Sequence, residues 1–377
     1  MIYLILNKYL IYVYMNLLSN DSIKLLSNKK NNYKLTSNKI SQNKYFQNLK
    51  ERLINIYSKE INIENIKISK IDYKVVDDSY FVGKSIQSKM GRLKYSYKIN
   101  YENNEIDFKT NKTRNVVKKR INKVIKIIET IKDFFGRKRA SQHIIIYDIS
   151  EKKKLPKYDN EIIIPDNCNS GYCNVLYNSK KNGDIVLYRN EEFYKVLIHE
   201  LMHANFVDYQ IIMNQNKSNM NKKICTNYNI LLNEAFTETF SCLLNMIIIH
   251  YETKINIDII FKNEVNFMLK TYNKLLKYYN INKIEDIIVK NGCVKYFKQK
   301  TNVFSYYILK FLNYLYIIDF LKLVEKNTNK NYIVKDGTYN KEYVNYVFKN
   351  INSLNKYIKK DEIKDRSLRL TLYELKL

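Results

Sequence analysis

Residues 199–203 of the chain read HELMH, which fits the pattern H-E-x-x-H. Residues four apart lie on one face of a helix, so His199 and His203 can bind one metal ion together. Glu200 follows the first histidine and can reach a water molecule at that metal. We therefore predict that His199 and His203 are metal ligands and that Glu200 is a catalytic base. The alternative is a helix that carries two half-buried histidines and no metal.

A third ligand is needed, because a catalytic zinc ion takes three protein ligands and one water molecule. In a metzincin, Gly and His would stand three and six residues after His203. Phe206 and Tyr209 occupy those positions, so the metzincin class is excluded. The other candidate is a glutamate on a following helix, and Glu234 stands in an apolar stretch that can form such a helix. We predict that Glu234 is the third ligand of a single Zn²⁺ ion.

Glu238 stands one helical turn after Glu234 and on the same face. It can accept a hydrogen bond from the ring N–H of a ligand histidine and so fix the tautomer of that ring. An apolar helix rarely directs two carboxylates inward unless a cation offsets their charge. We predict that Glu238 supports the metal site from behind the ligands. The alternative is that both glutamates belong to an exposed stripe.

The motif H-E-x-x-H followed by N-E-A-x-x-E resembles the gluzincin peptidases, whose thermolysin branch has N-E-x-x-S-D at the second place. Thr237 and Glu238 stand where that branch has Ser-Asp. The segment Tyr188–Glu200, the run Glu-Ala-Phe-Thr-Glu and the closing Leu-Arg-Leu-Thr are also similar to predicted zinc peptidases of large DNA viruses. The resemblance implies a zincin-like fold with one zinc ion, and it implies little about the substrate.

Zinc-dependent hydrolysis of a peptide bond is the reaction we expect. A bound zinc ion lowers the pKa of water and polarises a carbonyl group. Glu200 would take the proton from the water and pass it to the leaving amine. The strand candidate Gly171–Tyr177 would pair with an extended substrate along its edge. An oxyanion donor is also expected, typically a tyrosine, a histidine or an arginine. The chain has 35 tyrosines, too many to choose from. Arg369 and His250 are candidates, but a structural role is more usual for such residues, so the oxyanion donor stays unassigned.

The motif helix is expected to follow a small mixed sheet. Alternating apolar residues around a turn at 102–105 predict a β-hairpin, and apolar residues at helical spacing predict a helix at about 116–135. Further strands are predicted at 143–147, 161–165, 171–177 and 184–188, and Asn190 is the predicted N-cap of the motif helix. Helices are then predicted at about 231–252, 258–279, 301–325 and 341–359, with a strand-like tail at 368–372.

The predicted fold class is therefore α+β, with a zincin-like catalytic core followed by a mostly helical C-terminal part. The predicted regions are an apolar and polar N-terminal tail (1–43), an α/β region (44–140), the catalytic core (141–252) and a helical C-terminal region (253–377). Residues 1–19 are apolar, but Asn7 and Lys8 interrupt the run. A signal peptide or membrane anchor is therefore not favoured, and Met15 is an alternative start.

The net charge of the 377-residue chain is +28, from 65 Lys and Arg against 37 Asp and Glu. Such a charge can indicate a nucleic-acid partner. The basic residues are scattered along the chain, so we favour lysine-rich, solvated helix faces over a nucleic-acid partner. The expected partner is a protein or peptide substrate. A DNA-associated protease of the SprT type is an alternative, although that family usually has a third histidine and His250 lies too far into the next helix. A non-catalytic virion or scaffold protein with a stabilising zinc site is the other alternative.

The five cysteines form no C-x-x-C pair. Their odd number and wide spacing predict no disulfide framework, which suits a reducing, intracellular compartment. For a viral protein, that compartment would be the host cytoplasm or the virion.

Overall fold

The computed structural model describes residues 16–27, 39–62, 66–72, 80–174, 183–217, 220–289, 292–359, 363 and 365–377. Within these residues, six strands form one mixed sheet in the order β1-β2-β3-β4-β6-β5. The strands are β1 (Lys67–Ile71), β2 (Tyr95–Tyr101), β3 (Asn104–Thr110), β4 (Gln142–Tyr147), β5 (Gly171–Cys173) and β6 (Ile185–Leu187).

The sheet combines a hairpin with a parallel centre. β2 and β3 form the predicted antiparallel hairpin, in which Ile99 lies opposite Ile106. β3, β4 and β6 are parallel neighbours, and β5 runs antiparallel to β6 at one edge. At Gly171 a Cβ atom would lie 2.8 Å from the backbone oxygen of Val186 and 3.2 Å from Val196 Cγ1. Glycine therefore lets the edge strand pack closely against both β6 and the helix that follows it.

Helices cover the sheet and make up most of the C-terminal half. They are α1 (Asn20–Ser27), α2 (Lys44–Tyr57), α3 (Lys84–Met90), α4 (Arg114–Phe134), α5 (Pro165–Cys168), α6 (Phe193–Ala204), α7 (Tyr209–Met213), α8 (Leu232–Thr253), α9 (Ile257–Tyr278), α10 (Lys310–Leu315), α11 (Ile317–Asn327) and α12 (Thr338–Asn350). A π-helical turn (Phe304–Leu309) precedes α10, and short 3₁₀ segments occur at Ile40–Gln42, Gln215–Lys217, Met220–Lys222, Ile284–Ile287 and Ile351–Tyr357.

The predicted α+β class with a helical C-terminal part is confirmed. The helices predicted near 116–135, 231–252 and 258–279 correspond to α4, α8 and α9. The helix predicted at 301–325 is divided into the π-helical turn, α10 and α11, with a break at Tyr316. The helix predicted at 341–359 ends as an α-helix at Asn350 and continues as a 3₁₀ segment.

One predicted strand is wrong, and another is confirmed only in part. At 161–165 only an isolated bridge joins Ile163 to Gln299, and Pro165 begins α5. Proline is well suited to the first turn of a helix, because its fixed φ is helical and its missing N–H would have no partner there. In the predicted strand 171–177, only Gly171–Cys173 is a strand among the residues described, and 175–182 lie outside them.

The predicted N-cap Asn190 is also wrong. The motif helix α6 begins at Phe193, and Glu192 precedes it with a left-handed φ of 60°. The Asn190 side chain instead donates a hydrogen bond to Asp148 at 2.7 Å. The Glu192 carboxylate pairs with Lys153, and both side chains are fully buried.

The tail predicted as a strand at 368–372 is buried, but it joins no sheet in the part of the chain that the structure describes. The backbone N–H groups of Leu370 and Thr371 donate to Glu192 Oε1. Those of Leu372 and Tyr373 donate to Glu264 Oε1 at 3.0 Å. Buried backbone donors need acceptors, and two buried carboxylates supply them here in place of a neighbouring strand.

One hydrophobic core extends from Leu18 to Leu375, across the predicted boundaries between regions. A smaller core on the other face of the sheet contains Val82, Ile86, Tyr172 and Tyr188. The boundaries themselves stay predictions, and residues 1–15 of the predicted N-terminal tail lie outside those described. No helix among the described residues has the length and apolar character needed to cross a membrane.

The prediction that the cysteines form no disulfide is wrong, because Cys225 and Cys293 are joined by one. They are separated by 68 residues in sequence, so their contact depends on the tertiary fold and leaves no local pattern. Cys168, Cys173 and Cys242 are free thiols. The argument for a reducing compartment from the cysteine pattern therefore no longer holds.

Candidate metal centre

Every residue of the motif helix α6, from Phe193 to Ala204, is buried. It packs against α8 on one side, and the edge strand β5 also lies against it. Most residues of this helix are apolar and pack into the core. The polar side chains of His199, Glu200 and His203 are therefore buried with them. Buried polar groups of this kind need partners within the protein or a bound cation.

The two histidines and Glu234 direct three potential ligand atoms at one point. His199 Nε2 lies 3.1 Å from His203 Nε2, and Glu234 Oε2 lies 3.3 Å and 3.7 Å from these two nitrogens. Four ligands placed tetrahedrally about 2.05 Å from a zinc ion are about 3.3 Å from one another. The spacing of the three atoms therefore fits three corners of such a tetrahedron, and this group could hold a metal ion.

Each histidine uses its other ring nitrogen on a buried carboxylate. His199 Nδ1 lies 3.1 Å from Glu238 Oε2, and His203 Nδ1 lies 2.8 Å from Asp208 Oδ2. A carboxylate can only accept, so each Nδ1 carries the proton and each neutral ring presents a lone pair on Nε2. Together with Glu234 Oε2, these lone pairs form a cluster of electron donors that could hold a metal ion.

The same arrangement raises the affinity of the histidines for protons. Burial lowers the pKa of His203, but Asp208 and Glu234 outweigh it and hold that pKa well above its ordinary value. The pKa of His199 is also raised, since Glu234 and Glu238 outweigh the effect of its burial. A proton and a metal ion would therefore compete for this cluster, so metal binding should release protons.

Asp208 is a site residue that sequence analysis missed. Its Oδ2 also accepts hydrogen bonds from Asn233 Nδ2 at 3.1 Å and from Thr237 Oγ1 at 3.4 Å. Asp208 follows His203 by five positions, and the chain turns between them at Phe206, which has a φ of 58°. A non-glycine residue in this conformation leaves no signal in the sequence, although a carboxylate so close to H-E-x-x-H could have been considered.

The predicted support residue Glu238 contacts the predicted ligand His199, and two lysines flank it. Lys195 Nζ contacts Glu238 Oε2, and Lys310 Nζ lies 2.9 Å from Glu238 Oε1. Burial would raise the pKa of Glu238, yet Lys195 and Lys310 hold it well below its ordinary value. The compensating cations that an inward-facing carboxylate requires are thus present, but sequence analysis did not identify them.

The predicted base Glu200 is 6% exposed and lies beside the cluster. No group among the described residues hydrogen-bonds to its carboxylate. Burial raises its pKa, an effect that His199 and His203 oppose and Glu234 reinforces. A carboxylate of raised pKa without a fixed partner is suited to exchanging a proton with a water molecule.

Tyr306 is a further residue that sequence analysis missed, because one tyrosine among 35 carries no signal. Its hydroxyl donates to Glu234 Oε2 at 3.1 Å, and its ring lies edge-on to His199 with 6.0 Å between centroids. The π-helical turn Phe304–Leu309 holds it there, and such turns are frequent at functional sites.

Arg369 and His250, the two residues named above in connection with the oxyanion donor, make their contacts elsewhere. Arg369 Nη2 pairs with Glu374 at 3.3 Å. His250 Nδ1 bonds to the backbone oxygen of Ile255, several turns along α8 from Glu238. The contacts of Arg369 and His250 therefore indicate structural roles.

Comparison of the chain with protein-family models, with curated proteins and with solved structures finds no match.

Proposed function

We propose that this protein is a gluzincin-like zinc peptidase, in which His199, His203 and Glu234 hold one Zn²⁺ ion and Glu200 is the general base. The observation that carries the proposal is the convergence of three ligand atoms within 3.1–3.7 Å of one another. Two imidazoles and one carboxylate are the ligands of a catalytic zinc site, which leaves one position for water.

The residues around the ligands support hydrolysis more than a purely structural site. A zinc ion bound here would polarise a water molecule and a substrate carbonyl group. Glu200 would accept the proton of that water and pass it to the leaving amine. A structural zinc site usually has four protein ligands, whereas this group has three within the described residues.

We propose an extended peptide as the substrate and β5 as the strand that aligns it. β5 is an edge strand in the described sheet and packs against the motif helix. Its Cys173 lies near Glu200, whose charge contributes to raising the pKa of the thiol after the larger effect of burial. An edge strand offers unpaired backbone groups to a peptide. Tyr306 is the proposed donor to the developing oxyanion, since its hydroxyl is within hydrogen-bond distance of a ligand atom.

The test compares Glu200→Gln with Glu234→Ala. Metal content is measured by elemental analysis after purification under zinc-replete conditions, and hydrolysis is measured on a broad peptide library. Glu200→Gln should keep zinc and thermal stability and lose hydrolysis by at least about 100-fold. Glu234→Ala should lose zinc, because two ligands remain.

Three outcomes would contradict the proposal. Wild-type protein without zinc would remove the metal site itself. Zinc-loaded wild type that cleaves no peptide would favour a non-catalytic protein with a stabilising metal. Full hydrolysis by Glu200→Gln would exclude Glu200 as the base.

A further inference from the structure

The carboxylate of Glu238 is held by more contacts than the support of one histidine requires. Its Oε2 contacts both His199 Nδ1 and Lys195 Nζ, and its Oε1 accepts from Lys310 Nζ at 2.9 Å. The side chains of Glu238, Lys195 and Lys310 are each at most 2% exposed. Burying two ammonium groups is costly, so their presence beside one carboxylate calls for an explanation.

Lys310 also connects this carboxylate to the C-terminal segment. Its Nζ donates to the backbone oxygen of Leu370 at 2.7 Å. The backbone N–H of Leu370 donates to Glu192 Oε1 at 2.7 Å, and Glu192 immediately precedes the motif helix. Leu370 is thus tied to the beginning of α6 through Glu192 and to the outer side of the metal ligands through Lys310.

The geometry explains why one donor would not be enough. A carboxylate that accepts only from His199 could rotate about its terminal torsion, which has broad minima. Donors on both oxygens, from α6 and from α10, fix both the position and the plane of the group. A fixed Glu238 in turn fixes the ring of His199, whose Nε2 must point at the metal position to within a small angle.

We propose that Lys310 is a positioning residue of the metal centre: it fixes the Glu238 carboxylate between α8 and the C-terminal segment, and Glu238 thereby orients His199. This inference rests on the proposed function for the presence of a metal. It goes beyond that function, because Lys310 contacts no metal ligand and yet contributes to the affinity for the metal.

The test is a double-mutant cycle on zinc affinity, measured by competition with a chromophoric chelator. The variants are Lys310→Met, Glu238→Gln and the two combined. Lys310→Met should weaken zinc binding by about 10-fold, the lower end of the range for residues that support metal ligands. In the Glu238→Gln background the same change should cost less than about 2-fold, because the carboxylate that Lys310 positions is gone. The visible spectrum of the Co²⁺-substituted protein should change in Lys310→Met, since the His199 ring reorients.

Lys132→Met is the matched control. Lys132 is equally buried and pairs with Glu129 at 3.2 Å, yet it belongs to α4 and contacts Asn104 of β3 rather than the metal centre. Its removal should leave zinc affinity and the Co²⁺ spectrum unchanged. A general effect of losing a buried lysine would appear in this control as well.

An equal loss of affinity from Lys310→Met in both backgrounds would overturn the proposal, since a role in general stability is additive. Unchanged affinity in Lys310→Met would overturn it as well. If Lys310→Met alone does not fold, the double variant is compared with Glu238→Gln, and unequal zinc affinities there reject the proposal. Wild-type protein that binds no zinc would instead remove the proposed function.

Discussion

Two clusters among the described residues combine histidine with carboxylates, and their ligand atoms are arranged differently. The first is the candidate metal centre on α6 and α8, which consists of His199, His203 and Glu234. The second, the sheet-face cluster, consists of Glu105 and Asp107 on β3, His143 on β4 and Asp184 just before β6. In each cluster, one histidine nitrogen and two carboxylate or imidazole atoms lie within 4.8 Å of one another. Composition and proximity alone do not separate the two clusters.

The difference is in how the ring nitrogens are arranged. In the metal centre each histidine gives Nδ1 to an outer carboxylate, and the two Nε2 atoms lie 3.1 Å apart with Glu234 beside them. In the sheet-face cluster there is one ring, and both of its nitrogens face carboxylates. His143 Nδ1 lies 3.0 Å from Asp184, and its Nε2 lies 3.7 Å from Glu105 and 3.8 Å from Asp107.

The charge of His143 follows from this arrangement. Asp107, and after it Asp184, raises the pKa of His143 to about 9 against the opposing effect of burial. The ring is therefore protonated at neutral pH and is itself the cation of its cluster. The pKa of His203 is raised as well, but two N–H groups cannot point at each other across 3.1 Å, so at least one Nε2 of the metal centre keeps a lone pair. The comparison teaches that a metal site is recognised by the convergence of several ring nitrogens, and not by the presence of histidine and carboxylates alone.

The strongest test of this contrast replaces one carboxylate in each cluster. Glu234→Ala should reduce zinc from one ion per chain to none, since it removes one of three ligands. Glu105→Ala should leave zinc at one ion per chain, since its cluster already contains a cation. Elemental analysis of both variants purified side by side provides the measurement. Loss of zinc from Glu105→Ala would show that the two clusters are not as different as their hydrogen bonds indicate.

A smaller effect is expected from the outer carboxylates. Asp208→Asn should weaken zinc binding by about 10- to 100-fold, because His203 would lose the charged acceptor of its Nδ1–H. Asp184→Asn removes the matching partner of His143 and should leave zinc affinity unchanged. Chelator competition measures both. If Asp208→Asn binds zinc as tightly as wild type, the outer carboxylate contributes nothing to the metal centre.

How far the sequence predicted this site depended on how far apart its residues lie. His199 and His203 are one helical turn apart, so a local pattern was enough to pair them. Glu234 was predicted by excluding the metzincin histidine and by its place in a following apolar helix. Lys195 lies one turn before His199 on the same helix and could have been found by the same spacing. Lys310 reaches Glu238 only through the tertiary packing of α8 and α10, and no local pattern indicates such a contact.

The same distinction applies to the fold. The hairpin of β2 and β3 and the long helices were predicted because their apolar periodicity is local. The tail at 368–372 has the alternation of a strand, but its backbone donors bind Glu192 and Glu264 instead of a strand. The disulfide between Cys225 and Cys293 depends on a contact between distant segments. In both cases the tertiary partner decides the outcome, and the sequence pattern does not identify that partner.

The smallest predicted effect is a dependence of stability on pH that arises from the sheet-face cluster. The pKa of His143 is about 9 in the folded protein and about 6.5 in an unfolded chain. A pKa raised by folding means that the folded state binds the proton more tightly. The resulting stabilisation is fully present below about pH 6.5 and is lost as the pH rises through about 9. Because the His143 side chain is 33% exposed, solvent screening should limit the contribution to about 1 kcal/mol or less.

His143→Gln isolates this contribution, because it removes the titrating ring and keeps a polar side chain on β4. The free energy of unfolding of wild type and variant should be measured by urea titration at pH 6.5 and at pH 9.5. The wild type should be the more stable of the two at pH 6.5, and the difference should shrink at pH 9.5, where the ring of the folded wild type is mostly neutral. A difference that does not change with pH would mean that His143 stabilises the sheet by packing and not by charge. The sheet-face cluster would then lack its own cation, and the distinction from the metal centre would fail at that point.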